Sequence, residues 1–248
     1  MNNIISTVFA TTQCPSEIKV FGIYHLSFFT LSFVFTYLMI KYKWQNDLIE
    51  KIATLVTLGL HILLYIWYHF SPEHLILKGL PLYTCRLVLY LYFIGIFFKK
   101  QGCLKLASYW GFYGGIAGLI FPTIFKYPFP HILQISTFIL HVYIFTLSGN
   151  YLFIKKIGMT KADTINCCKW TVLLLTFNTI FNMIFDTNYT STFKMPAHLI
   201  TLGIDVPAAF CYLAVTSGYI FITFVQYFYV SYYEKITSES EAINYDSN

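Results

Sequence analysis

Seven apolar stretches separated by short polar segments dominate the chain. They run Val20–Ile40, Leu48–Phe70, Leu80–Phe98, Leu104–Phe121, Ile132–Ile154, Trp170–Phe185 and Val206–Tyr232. Each is close to the roughly 20 residues that a helix needs to cross a bilayer. The sixth is the shortest, and the seventh is long enough to tilt or to extend past the hydrocarbon. No strand-like alternation over about ten residues occurs, which argues against a β-barrel. The pattern predicts an all-α polytopic membrane protein with seven transmembrane helices.

Composition agrees. Hydrophobic residues make up 57% of the 248 residues and charged residues only 11%, against about 25% charged in a soluble domain. This excludes a cytosolic globule, a disordered protein and a nucleic-acid binder. The net charge of +5 sits in short loops and calls for no nucleic-acid partner. Eleven lysines fall in the loops after the first, third and fifth stretches and behind the seventh; Lys19, Lys78, Lys126 and Lys194 fall on the other side. The positive-inside rule then puts the N-terminus outside and the C-terminus in the cytosol, as a multi-pass protein of the cell membrane. Residues 1–233 read as one seven-helix domain. Residues 234–248 are acidic and Ser/Asn-rich and read as a disordered cytosolic tail.

Polar side chains within apolar spans are costly and need a reason. At about 1.5 Å of rise per residue, Cys85, Arg86, His61, His141, Asn178 and Asn182 all fall in the outer half of the bilayer, where one polar cavity open to the outer leaflet would satisfy them. Asn178 and Asn182 are four apart and share a helix face. The small residues Gly114, Gly115 and Gly118 let backbones approach closely and leave room for a lipid chain.

Each residue also has an ordinary reading. Cys85 can be an inert buried thiol or a disulfide partner of Cys211; as a nucleophile it needs a base or a cation nearby. His141 can be a packing partner, or that base. His61 competes with it, though Gly59 and the following Leu run resemble ordinary packing. Arg86, the sole arginine, can snorkel to the interface or hold a lipid phosphate in a bidentate grip. Asn178 and Asn182 can be interhelical glue, or can orient His141 or donate to an oxyanion. No metal-ligand spacing and no cofactor-binding loop occurs, so no metal or cofactor is expected.

The segment Leu80-Pro81-Leu82-Tyr83-Thr84-Cys85 resembles the LPLHLC-type motif of YwaF-like bacterial integral membrane proteins, which are distantly similar to the transmembrane protein 164 acyltransferase family. Gly114-Gly115 with Phe121-Pro122, mid-span His141, and Asn178, Asn182 and Asp186–Tyr189 with the later Pro196 resemble further elements in the same order. The resemblance covers about Leu80 to Pro196. It implies a fatty-acyl transferase of membrane lipids with Cys85 as a thioester-forming nucleophile and His141 as its base. Arg86, Asn178, Asn182, Gly114 and Gly115 are the expected substrate-binding residues. Phospholipids would be the acyl donors, and a lysophospholipid or a lipoprotein the acceptor. The chain departs from the motif at Tyr83, where the bacterial proteins often have His. The reading from another class is a seven-helix transporter or receptor that binds a ligand in the same outer pocket without covalent chemistry.

Overall fold

The apolar stretches become helices. The computed structural model describes residues 4–14, 21–42, 46–71, 75–120, 126–195 and 206–246. After a short helix α1 (Ile4–Val8) come α2 (Ile23–Lys41), α3 (Asp47–Phe70), α4 (Thr84–Phe97), α5 (Gln101–Ile120), α6 (Ile132–Gly149), α7 (Lys161–Phe185) and α8 (Ala208–Asp246). No strand occurs among the described residues. Single π-helical turns at Leu75–Gly79 and Asn150–Ile154 precede α4 and extend α6. Phe121, Pro122, Pro196, His198 and Asp205 lie outside the described residues.

Local chemistry explains several boundaries. Asn46 starts α3 by accepting from the N–H groups of Leu48 and Ile49, and Thr160 with Asp163 forms a capping box at α7; both satisfy amides that a helix start leaves open. Among the described residues, five helices are long and apolar enough to cross a bilayer: α2, α3, α6 with its π turn, α7, and α8 from Ala208 to Ser238. Helix α4 is apolar but has 14 residues, about 21 Å of rise, against about 30 Å of hydrocarbon. The reason is local: the expected third span begins at Leu80, but the chain turns through Leu80–Tyr83 before Thr84 starts the helix. Helix α8 continues to Asp246, where composition predicts a disordered tail from Glu234.

Burial is reversed relative to a water-soluble protein. Ile23 (77%), Phe70 (73%) and Phe221 (69%) are exposed, while Thr54, Ser108, Ser148, Asn178 and Asn182 are fully buried. In water this arrangement is untenable; in lipid it is the economical one, because apolar tails solvate the outside and polar groups must pair within. Many buried hydroxyls do so by donating to the carbonyl four residues back, as Thr54 does to Glu50 (2.6 Å) and Ser108 to Leu104 (2.7 Å). Others pair across helices: Thr54 with Tyr143 at 2.8 Å and Tyr92 with Ser148 at 2.7 Å.

The chain divides into two compact units, residues 1–149 and 150–248, where composition and linkers show no boundary. The first contains α1–α6; α5 packs on α4 and α6, and α3 packs on α6. Two glycines set the α5–α6 contact. A Cβ at Gly115 would come within 2.9 Å of the Phe145 backbone, and one at Gly111 would strike Ser148 Oγ. In the second unit α7 packs along α8.

Candidate active site

Cys85 and His141 come together in the first unit. Cys85 occupies the first turn of α4, whose N-cap is Tyr83. Its thiol is hydrogen-bonded to the His141 side chain on α6. His141 Nδ1 lies 2.7 Å from the carbonyl oxygen of Thr137. A carbonyl only accepts, so Nδ1 carries the proton and Nε2 is left as the acceptor. Cys85 is half-buried, and the partial positive charge of the helix start favours negative charge on its sulfur.

Cys85 and His141 line a cavity of about 470 Å³, together with His61, Tyr83, Arg86 and Ser136, a volume in the usual range for small-molecule sites. His141 rests against α5 at Gly118: a Cβ there would collide with the imidazole. Gly115 brings α5 against Phe145, whereas the space beside Gly114 is open. One expected glycine therefore sets the packing and the other leaves room.

Arg86 does not snorkel. Its side chain is buried, and Nη1 donates to the carbonyls of Lys78 (2.7 Å), Gly79 (2.7 Å) and Leu80 (3.0 Å). The guanidinium lies 5.1 Å from the Tyr83 ring and 5.6 Å from the Tyr68 ring. Arg86 thus ties the turn before α4 onto the head of the helix that carries Cys85. Tyr83 supplies one face of that guanidinium cage.

Asn178 and Asn182 belong to the second unit and organise its loop after α7. Asn182 Nδ2 donates to the Tyr189 carbonyl (2.9 Å) and to Thr192 Oγ1 (3.1 Å); its Oδ1 accepts from Thr187 Oγ1 (2.7 Å) and the Tyr189 amide (2.8 Å). Asn178 Nδ2 donates to Thr190 Oγ1 (3.1 Å). The loop holds Asp186, Thr190 and Ser191 at φ of 50°, 56° and 55°, a region unfavourable for side chains other than Gly and worst for a β-branched one. The two amides hold it there. None of the six cysteines is in a disulfide, so Cys85 and Cys211 are not bridged.

His61, which the sequence offers as a competitor of His141 with ordinary packing as the favoured reading, is brought to the same cavity. It lies on the cavity wall within electrostatic reach of Arg86 and His141. A signal was available: Thr57 precedes His61 by four residues, as Thr137 precedes His141.

Three pinned segments form the mouth of the cavity, contributing Gln13, Lys78 and Lys126. Trp67 Nε1 donates to the Ala10 carbonyl (3.2 Å), His131 Nε2 lies 3.0 Å from the same oxygen, and the Cys14 amide donates to the Lys126 carbonyl (2.9 Å). His131 sits before α6, stacked on Tyr127 at 4.3 Å. Burial pushes its pKa below the ordinary value, partly offset by its bond to Ala10.

No curated protein and no solved structure matches the chain. One family model matches residues 15–232, which is most of the sequence, and by that match the chain with this Cys–His cavity belongs to the TMEM164 family.

Proposed function

We propose that the protein is a membrane-embedded lipid acyltransferase that works through a thioester on Cys85. The observation that carries the reading is the hydrogen-bonded Cys85–His141 pair on the wall of a cavity, in a family whose membership is compatible with this role. The proposed topology has seven spans in the cell membrane, with the N-terminus outside and the C-terminus cytosolic. The 14-residue α4 and the 20-residue α5 would complete the count begun by the other five helices.

In the first half-reaction His141 Nε2 takes the thiol proton, and Cys85 Sγ attacks the ester carbonyl of a phospholipid. The acyl C–O bond breaks, and the His141 imidazolium returns the proton to the leaving glycerol oxygen, releasing a lysolipid. In the second, Nε2 accepts a proton from the hydroxyl or amine of the acceptor, whose heteroatom attacks the thioester carbonyl. The C–S bond breaks, and Sγ recovers the proton. A lysophospholipid or a lipoprotein amino terminus is the acceptor. Splitting one acyl transfer in two is the usual benefit of a covalent nucleophile.

The tetrahedral oxyanion needs donors. Asn182 uses both amide hydrogens within its own loop, and the Arg86 and Leu87 amides donate to the Tyr83 carbonyl, so the amide of Cys85 itself is the better choice. Gly114 leaves space for an acyl chain. Arg86 acts as a positioning residue that fixes the turn before Cys85.

The test is intact-mass analysis of the purified protein after incubation with a defined phospholipid. An acyl adduct is expected on Cys85 that hydroxylamine removes, is absent from Cys85→Ala, and is converted to a hydroxylamine-resistant ester or lost in Cys85→Ser. The reading is wrong if Cys85→Ala carries the same adduct, or if phospholipids bind without ever acylating the protein. The second result is what a transporter or receptor would give.

A further inference from the structure

Among the described residues that line the cavity, the charge is one-sided: Lys78, Lys126 and Arg86 are cationic and none is acidic. Arg86 faces inward and its Nη1 is committed to backbone carbonyls, so it cannot be the main contact for a head group. Lys78 and Lys126 are exposed, and each is held at the rim through its own backbone. The Lys78 carbonyl accepts from Arg86 at 2.7 Å, and the Lys126 carbonyl accepts from the Cys14 amide at 2.9 Å. The strut from Lys78 reaches the residue adjacent to Cys85, which fixes the cationic rim relative to the sulfur. Two lysines that line the same cavity as a thiol suit a ligand with a negative head and an ester carbonyl close to it.

From this we propose that Lys78 and Lys126 form a head-group subsite that selects phospholipids of net negative charge, such as phosphatidylglycerol, over zwitterionic ones. The proposal deepens the acyltransferase reading, and it states which donor that site accepts. A lysine near an anionic lipid surface contributes about fivefold in affinity, so the two together set a preference of about one order of magnitude or more.

The experiment separates binding from chemistry. Full-length Cys85→Ala protein, which cannot be acylated, is placed in mixed micelles of phosphatidylglycerol and phosphatidylcholine, and retained lipid is read by native mass spectrometry. The expected result is about tenfold enrichment of phosphatidylglycerol, falling about fivefold in Lys78→Gln or Lys126→Gln. Lys99→Gln/Lys100→Gln, at the far end of α4, should leave the enrichment unchanged. Equal retention of the two lipids overturns the proposal. So does enrichment that survives Lys78→Gln/Lys126→Gln, or that falls equally in the Lys99/Lys100 variant. Displacement of the lipid by soluble glycerophosphoglycerol at equal concentration overturns it too, by marking a site for free phosphate esters. Acylation of the otherwise unsubstituted protein is followed in parallel. Its absence beside a lysine-dependent enrichment refutes the acyltransferase reading and leaves the subsite standing.

Discussion

The imidazole of His141 lies against the bare backbone of Gly118, in space that any side chain at that position would take. This contact joins α5 to the reactive pair, since the ring that Gly118 admits is the one bonded to Cys85. It makes a sharp prediction. Gly→Ala within a helix ordinarily stabilises by about 0.5–1 kcal/mol, so Gly118→Ala should fold while displacing the ring. Acylation of Cys85 should fall by at least about tenfold with little loss of thermal stability. Gly102→Ala, at the start of α5, where the added methyl also meets open space, should retain the rate. Equal acylation in the two variants counts against His141 as the base.

His141 and His61 should separate by kinetics. A positioned general base contributes about 10²–10⁴ in rate, and only His141 bonds the thiol. His141→Gln should therefore slow acylation by at least about 10², and His61→Gln by less than about tenfold. A reversed order, measured as single-turnover acylation, would assign the base to His61.

Much of this was legible in the sequence, for physical reasons. Helices in lipid must satisfy their own backbone, so the apolar stretches at 20–40, 48–70 and 132–154 map onto α2, α3 and α6. Cys85 and His141 stood out because polar groups within apolar spans need partners. The break before α4 was signalled by Pro81, which does not fit a helix interior, but Leu80–Tyr83 is apolar enough to read as part of the span; the three-carbonyl grip of Arg86 holds the turn in place. Depth along a helix also carries no information about azimuth. The sequence expects Asn178 and Asn182 at the depth of Cys85 and His141, yet their amides are engaged with residues 187–192 of their own unit.

Asn182 should matter for stability. Four hydrogen bonds converge on one buried amide, and they restrain a loop with positive φ at Thr190 and Ser191. Leaving such partners unsatisfied costs about 1–3 kcal/mol per group. Asn182→Ala should lower the melting temperature clearly and raise hydrogen exchange across residues 186–192. Exchange equal to that of the unsubstituted protein would show that the loop holds without the amide.

The mouth of the cavity should loosen in acid through His131. Nε2 donates to the Ala10 carbonyl, and Nδ1 accepts from the Leu133 amide at 3.3 Å. The second bond requires the neutral ring, because a protonated Nδ1 would face a donor. The folded-state pKa is depressed by burial, so the unfolded segment binds the proton more readily. The contribution of His131 is therefore complete above the ordinary histidine value of 6.5 and is lost as pH falls through that value to the lower folded one. Hydrogen exchange of residues 9–14, corrected for the intrinsic pH dependence of exchange, should show protection decreasing below about pH 6.5. In His131→Phe, which keeps an aromatic ring against Tyr127 but has no proton to gain, protection should be lower at neutral pH and flat with pH. A pH-dependent loss that persists in His131→Phe would place the titrating group elsewhere.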